Sequence, residues 1–154
     1  MGWFARTVLW GCFFGSACGL CAFDLQYGSL FSVAGITIKD GKPVLPLSRE
    51  KYANVRVLDK ETFDFLKNCT ASCKQPGGEG EVQIVAFRAA KTRAGMWIAD
   101  VSIDEKWLLT FLLFQTEEKV DVVFPQEVNI LNKDWFDKVL ILLRGQIVSE
   151  EKEN

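Results

Sequence analysis

Residues 96–115 read MWIADVSIDEKWLLTFLLFQ. In the first half, Trp97, Ala99, Val101 and Ile103 alternate with Ile98, Asp100 and Ser102. That period of two belongs to a strand with one face in a core. Asp104-Glu105 reads as a turn. The second half, 107–115, is almost continuously apolar, as a central strand covered on both faces would be, and as a buried helix would also be. Its length and its place between two turn signals favour the strand. Two strands joined by a short turn form an antiparallel pair, so an antiparallel sheet is expected to organise the chain.

Working outward, 81–90 reads as a further strand, joined through Lys91-Thr92-Arg93-Ala94-Gly95. On the other side 116–119 makes a turn into a strand at 120–124, stopped by Pro125. Nearer the N-terminus, Asp40-Gly41 lies between the apolar segments 36–38 and 44–47, a strong hairpin signal. Pro43 and Pro46 confine the second segment to an edge or an irregular extended stretch. Residues 52–58 alternate as a half-buried strand. Asp59 then suits a helix N-cap, and 60–68 a short helix with Phe63 and Leu66 inward. Residues 74–80, KQPGGEG, read as a loop, and 24–35 are weakly patterned. Asn132 can cap a final helix over 133–147, with Trp135, Phe136, Val139, Leu140 and Leu143 on one face. Ile141 and Leu142 widen that stripe enough to predict cover on more than one side. The expected fold is α+β: a meandering antiparallel sheet of about six strands, a short helix after the third strand, and a long C-terminal helix packed on one face.

The ends carry different signals. Residues 1–23 hold one charged side chain, Arg6. TVLWGCFF at 7–14 is an apolar run, and GSACGLCA at 15–22 is mostly small. That order is the pattern of a secretory signal peptide, assigned to 1–22, with a single domain at 23–148 and a charged, disordered tail at 149–154. Three fates of the leader stay open: cleavage after Ala17 or Ala22, lipidation of Cys18 within a degenerate lipobox (GSAC, 15–18), or retention as an anchor. Residues 24–154 keep 17 of the 18 basic and all 20 acidic side chains, a net charge of −3.

Composition limits the chemistry. The 154 residues include no histidine. Imidazole-based nucleophile systems, histidine-ligated zinc or iron and proximal-histidine haem therefore have no ligand or base here. A pI near 5.3 argues against nucleic acid as a partner. No cofactor motif and no clustered metal ligands are visible, and the chain is not expected to be an enzyme.

Beyond the leader two cysteines remain, Cys69 and Cys73, in the order C-T-A-S-C. In an exported domain they are expected to form a structural disulfide. Arg88, Lys91 and Arg93 cluster at a predicted hairpin and are candidate contacts for an anion. Trp97, Trp107, Phe111 and Trp135 are candidates for an aromatic pocket, weighed against plain core packing. The acids Asp100, Asp104, Glu105 and Asp121 lie near strands with no separation fixed by sequence. The leading expectation is a periplasmic, outer-surface or secreted binding domain, anchored to a membrane through its N-terminus if the leader stays or is lipidated. Its partner would be a protein or another cell-envelope component, met by a sheet face or an exposed edge. The alternatives are a small-molecule or lipid carrier with an apolar cavity under the long helix, and a thiol–disulfide oxidoreductase using Cys69 and Cys73.

Overall fold

The structure, a computed structural model, describes residues 21–46 and 54–153. Almost all of the leader, with Cys18, lies outside those residues. The class is α+β, as expected, but the strands form two sheets of five rather than one of about six.

The predicted strand pair forms one sheet. Strand β8 (Trp107–Gln115) pairs with the whole length of β7 (Met96–Ile103), in the register Ile103 opposite Trp107 and Met96 opposite Phe114. Beyond β7 lies β6 (Val82–Ala89). The other edge of β8 is shared by two short strands, β4 (Val55–Val57) and β9 (Val120–Val123). Cover on both faces accounts for the nearly continuous apolar run in β8: Trp107, Leu109, Phe111 and Leu113 lie in the larger core and Leu112 in a smaller cluster with Met96 and Ile98, and seven consecutive residues from Trp107 to Leu113 are buried.

The second sheet repeats the plan around β2 (Phe31–Lys39). Strand β2 lies between β10 (Val128–Ile130) and β1 (Phe23–Tyr27), pairs toward its end with β3 (Lys42–Val44), and β1 in turn holds β5 (Cys73–Gln75) in parallel. The β2–β3 turn is the predicted one. Asp40 and Gly41 both have positive φ, 50° and 71°, which suits a two-residue turn matching the twist of the strands. Pro43 lies in β3, which pairs only with β2 among the described residues. Three of these strands depart from the sequence reading. β1 and β10 fall where no strand was expected, and β5 takes Lys74 and Gln75 out of the predicted loop.

The inner faces of the two sheets meet in one core. Leu25, Tyr27, Phe31, Val33 and Ile36 come from the β1–β2 side, and Ala99, Val101, Ile103, Trp107, Leu109, Phe111 and Leu113 from the β7–β8 side. The last helix, α2 (Lys133–Glu153), adds Trp135, Val139, Leu143 and Ile147 to the same cluster. Asn132 caps it by accepting from Trp135 N–H at 2.9 Å. The helix runs through Glu153, so residues 149–153 are helical where a disordered tail was predicted. Its cover is also one-sided: Ile141 is 69% exposed, Val148 50% and Leu142 42%.

Helix α1 (Lys60–Lys67) starts at the predicted cap, with Asp59 accepting from Thr62 N–H. Its buried residues are Thr62 and Leu66; Phe63, expected inward, is only half-buried. The four-residue spacing puts Thr62 and Leu66 on one helical face. Thr62 points inward because it has a buried partner: its hydroxyl accepts from Gln75 Nε2 at 2.9 Å, and Gln75 Oε1 accepts from Trp107 Nε1 at 3.2 Å. One glutamine thus joins α1, β5 and β8 and leaves no buried polar atom of the three unpaired.

Candidate interaction surface

The sequence-derived sites do not converge on one place. Cys69 and Cys73 lie at disulfide-bonding distance, with Cα atoms 6.2 Å apart. Cys69 N–H donates to Leu66 O just past α1, and Cys73 opens β5, so the pair ties the end of the helix to the sheet. The pair sits at a helix C-terminus, where the dipole does not favour a thiolate. A shallow groove beside it is lined by Phe65, Asn68 and the 69–73 loop. Cys21 is exposed and unbonded.

Arg88, Lys91 and Arg93 share the β6–β7 hairpin but not a target. Arg88 Nη1 meets Asp100 Oδ2 at 3.1 Å, and Thr110 Oγ1 donates to Asp100 Oδ1 at 2.6 Å. The Arg93 guanidinium lies over the Phe114 ring, 4.8 Å from its centroid. Lys91 is exposed. Two of the three cations are therefore committed to different neighbours, and no anion cradle forms.

The aromatic candidates are core. Trp107 and Phe111 are fully buried and Trp135 nearly so. Phe31 meets Trp107 edge-on at 5.9 Å and stacks with Trp135 at 6.1 Å, while Phe111 lies 6.2 Å from Phe136. These rings pack against one another beneath α2. Trp97 alone is half-buried, stacked on Phe87 at 5.2 Å.

The acids are dispersed as well. Asp121 pairs with Lys119 at 3.0 Å. Asp104 has a structural role that the sequence did not signal. It accepts from Tyr27 Oη at 2.8 Å, Gly80 N–H at 3.0 Å and Glu81 N–H at 2.8 Å, and Tyr27 Oη accepts from Gly78 N–H at 3.1 Å. Trp135 Nε1 donates to Gly80 O at 2.9 Å. The glycine-rich loop is thereby pinned between β1, the β7–β8 turn and α2. Gly28 and Gly77 let two backbone segments touch: a Cβ on Gly28 would stand 2.8 Å from Gly77 Cα. Burial, then the bond to the Asp104 carboxylate, pushes the Tyr27 phenol up to about 12.

Of the strands with a single partner strand among the described residues, β6 is the longest. Among the described residues it pairs with β7 alone, and none of its eight residues is fully buried. Its register shifts between Ile84 and Ala86, which sets Val85 in a bulge, 60% exposed. Bulges commonly protect an edge against unwanted pairing. Here the four residues beyond the bulge, Ala86 to Ala89, are shouldered by the Phe87–Trp97 stack and by Arg88. The strand thus carries an apolar step at Val85 and, further along, Phe87 stacked on Trp97, both rings half-buried against the core.

No group of three or more acidic or thiol side chains positioned to hold a metal occurs among the described residues. None of the described helices is long and apolar enough to cross a membrane. No protein-family model, curated protein or solved structure matches the chain.

Proposed function

We propose that the chain is an exported, non-enzymatic binding domain that receives an extended polypeptide segment as an added strand on β6. One observation carries the reading: an eight-residue strand has a single partner and bears an apolar side chain, Val85, 60% exposed at its edge. Strand addition draws affinity from main-chain hydrogen bonds and specificity from alternate side chains. The Phe87–Trp97 stack would favour an apolar side chain at one position of the incoming segment, and the acidic balance of the domain a segment that is not itself acidic. The leader supports delivery to the periplasm, the outer surface or the medium, with anchoring through Cys18 if that residue is acylated. The lack of histidine and the separate commitments of Asp100, Asp104 and Asp121 support a binding rather than a catalytic role.

Peptides selected from a displayed random library should protect the β6 backbone amides from hydrogen exchange. Val85→Asp should abolish that binding while leaving the unfolding midpoint within a degree or two, since the side chain is exposed. Selected peptides that protect another surface and ignore Val85→Asp would refute the proposal. Intact mass of the exported protein reads the N-terminus and any acyl group on Cys18.

A further inference from the structure

The outer face of α2 combines three features. Its apolar residues Ile141, Leu142 and Val148 are exposed by 69%, 42% and 50%. They span about 10 Å along the helix. Gly145 lies between them with no neighbour within reach of an added Cβ, so the stripe is open at its middle. Its charges are sorted. From Lys138 through Ser149 the helix carries no acid and two cations, Lys138 and Arg144, neither of them in an ion pair among the described residues. The acids stand toward the ends, Asp134 and Asp137 before this window and Glu150, Glu151 and Glu153 after it.

We propose that this face of α2 docks on an anionic phospholipid surface. An amphipathic helix at a bilayer interface buries apolar side chains at the acyl boundary and lets neighbouring Lys and Arg reach the headgroups. Ile141, Leu142 and Val148 with Lys138 and Arg144 meet both requirements. The domain as a whole is negative, so an anionic surface would repel most orientations and favour the one that presents this stripe. A second copy of the chain is a poorer fit. Antiparallel pairing of two such helices across Gly145 would bring the two Arg144 side chains together. The inference is independent of strand addition at β6, which lies on another element.

The test is co-sedimentation of the full chain, as purified, with vesicles of equimolar phosphatidylglycerol and phosphatidylcholine, and with phosphatidylcholine vesicles. Any contribution of the leader is common to all variants. Each basic residue near such a surface strengthens binding about five-fold, so the pair gives the anionic vesicles an advantage of about 25-fold. Lys138→Gln with Arg144→Gln should reduce that advantage to near unity, and added salt should do the same to the unaltered chain. Ile141→Ser with Val148→Ser should weaken binding to anionic vesicles by about ten-fold or more. Both pairs should keep the thermal midpoint, because the four side chains are exposed. An anionic preference untouched by the Gln pair, or binding untouched by the Ser pair, would overturn the proposal. So would a concentration-dependent dimer that the Ser pair dissolves, because a second copy would then cover the stripe.

Discussion

Replacing Asp104 by Asn tests the bonds that hold the glycine-rich loop. The position has φ of 51°, in the left-handed region, and the next residue, Glu105, has 56°. Asn tolerates that backbone as well as Asp does, so the substitution leaves the turn and alters only the acceptor. The carboxylate accepts from a phenol and from two backbone N–H groups. Hydrogen bonds to a charged group contribute about 1.5–3 kcal/mol, against about 1 kcal/mol for neutral ones. Making three such bonds neutral, and turning an NH₂ toward one of the donors, should cost about 2–3 kcal/mol. Tyr27→Phe removes the phenol, which leaves Gly78 N–H without its acceptor, and should cost about 1–3 kcal/mol. Tyr27 and Asp104 are partners, so the double substitution should cost less than the sum of the singles, by about 1–2 kcal/mol. Urea unfolding with the disulfide intact measures all four corners of the cycle. Strict additivity, or an Asp104→Asn cost below about 0.5 kcal/mol, would refute the picture of a loop held by this carboxylate.

The same bond gives a pH dependence of definite sign. The Tyr27 phenol is raised from 10.0 in the unfolded chain to about 12 in the fold. A group whose folded pKa is the higher one contributes stability that is intact below the unfolded value and lost as pH rises through the folded value. Stability should therefore fall between pH 10 and about 12, and Tyr27→Phe should remove that part of the decline; an unchanged alkaline limb in the variant would contradict it. Cys69→Ser with Cys73→Ser should cost roughly 2 kcal/mol, the chain-entropy value for a five-residue loop, read as a lower urea midpoint. Gly28→Ala should destabilise by roughly 2–4 kcal/mol, because the new Cβ would meet the Gly77 backbone at 2.8 Å from a residue already at φ of 50°. Trp107→Phe should cost more than lost area alone implies, since it also strips Gln75 Oε1 of its donor; adding Gln75→Leu together with Thr62→Val, which removes the whole buried polar chain, should recover part of the loss in thermal melts.

What could be read from the sequence follows the range of the forces involved. The β7 and β8 boundaries, the Asp40-Gly41 turn and the Asp59 and Asn132 caps are local, set by side-chain period, turn conformation and bonds spanning three residues. β1 was missed although Phe23, Leu25 and Tyr27 alternate with Asp24 and Gln26, because the apolar leader runs into Phe23 without a break. β5 was missed for a different reason. Nothing in Cys73-Lys74-Gln75 marks a strand; it becomes one by pairing in parallel with β1, nearly fifty residues away. The split into two sheets is of the same kind. A meander of hairpins and a pair of facing sheets produce similar alternation in each strand, and only the long connections choose between them.

The surface followed a similar rule, with one instructive inversion. The cations near one another in sequence are separated by the fold, Arg88 to Asp100 and Arg93 to Phe114, while Trp107 and Trp135, distant in sequence, meet in one core against Phe31. The wide apolar stripe of the last helix was read as evidence of cover on more than one side, since exposed apolar side chains are costly. A 21-residue helix laid on one face can be covered only along one stripe, here Trp135, Val139, Leu143 and Ile147 at four-residue steps. Ile141 and Val148 fall on the opposite side of the same cylinder, and packing within the described residues leaves them 69% and 50% exposed. Apolar residues that serve only the fold would sit where the fold can bury them. A stripe the fold leaves exposed, with two cations along its length and acids only toward its ends, is what the proposed docking on an anionic surface would use.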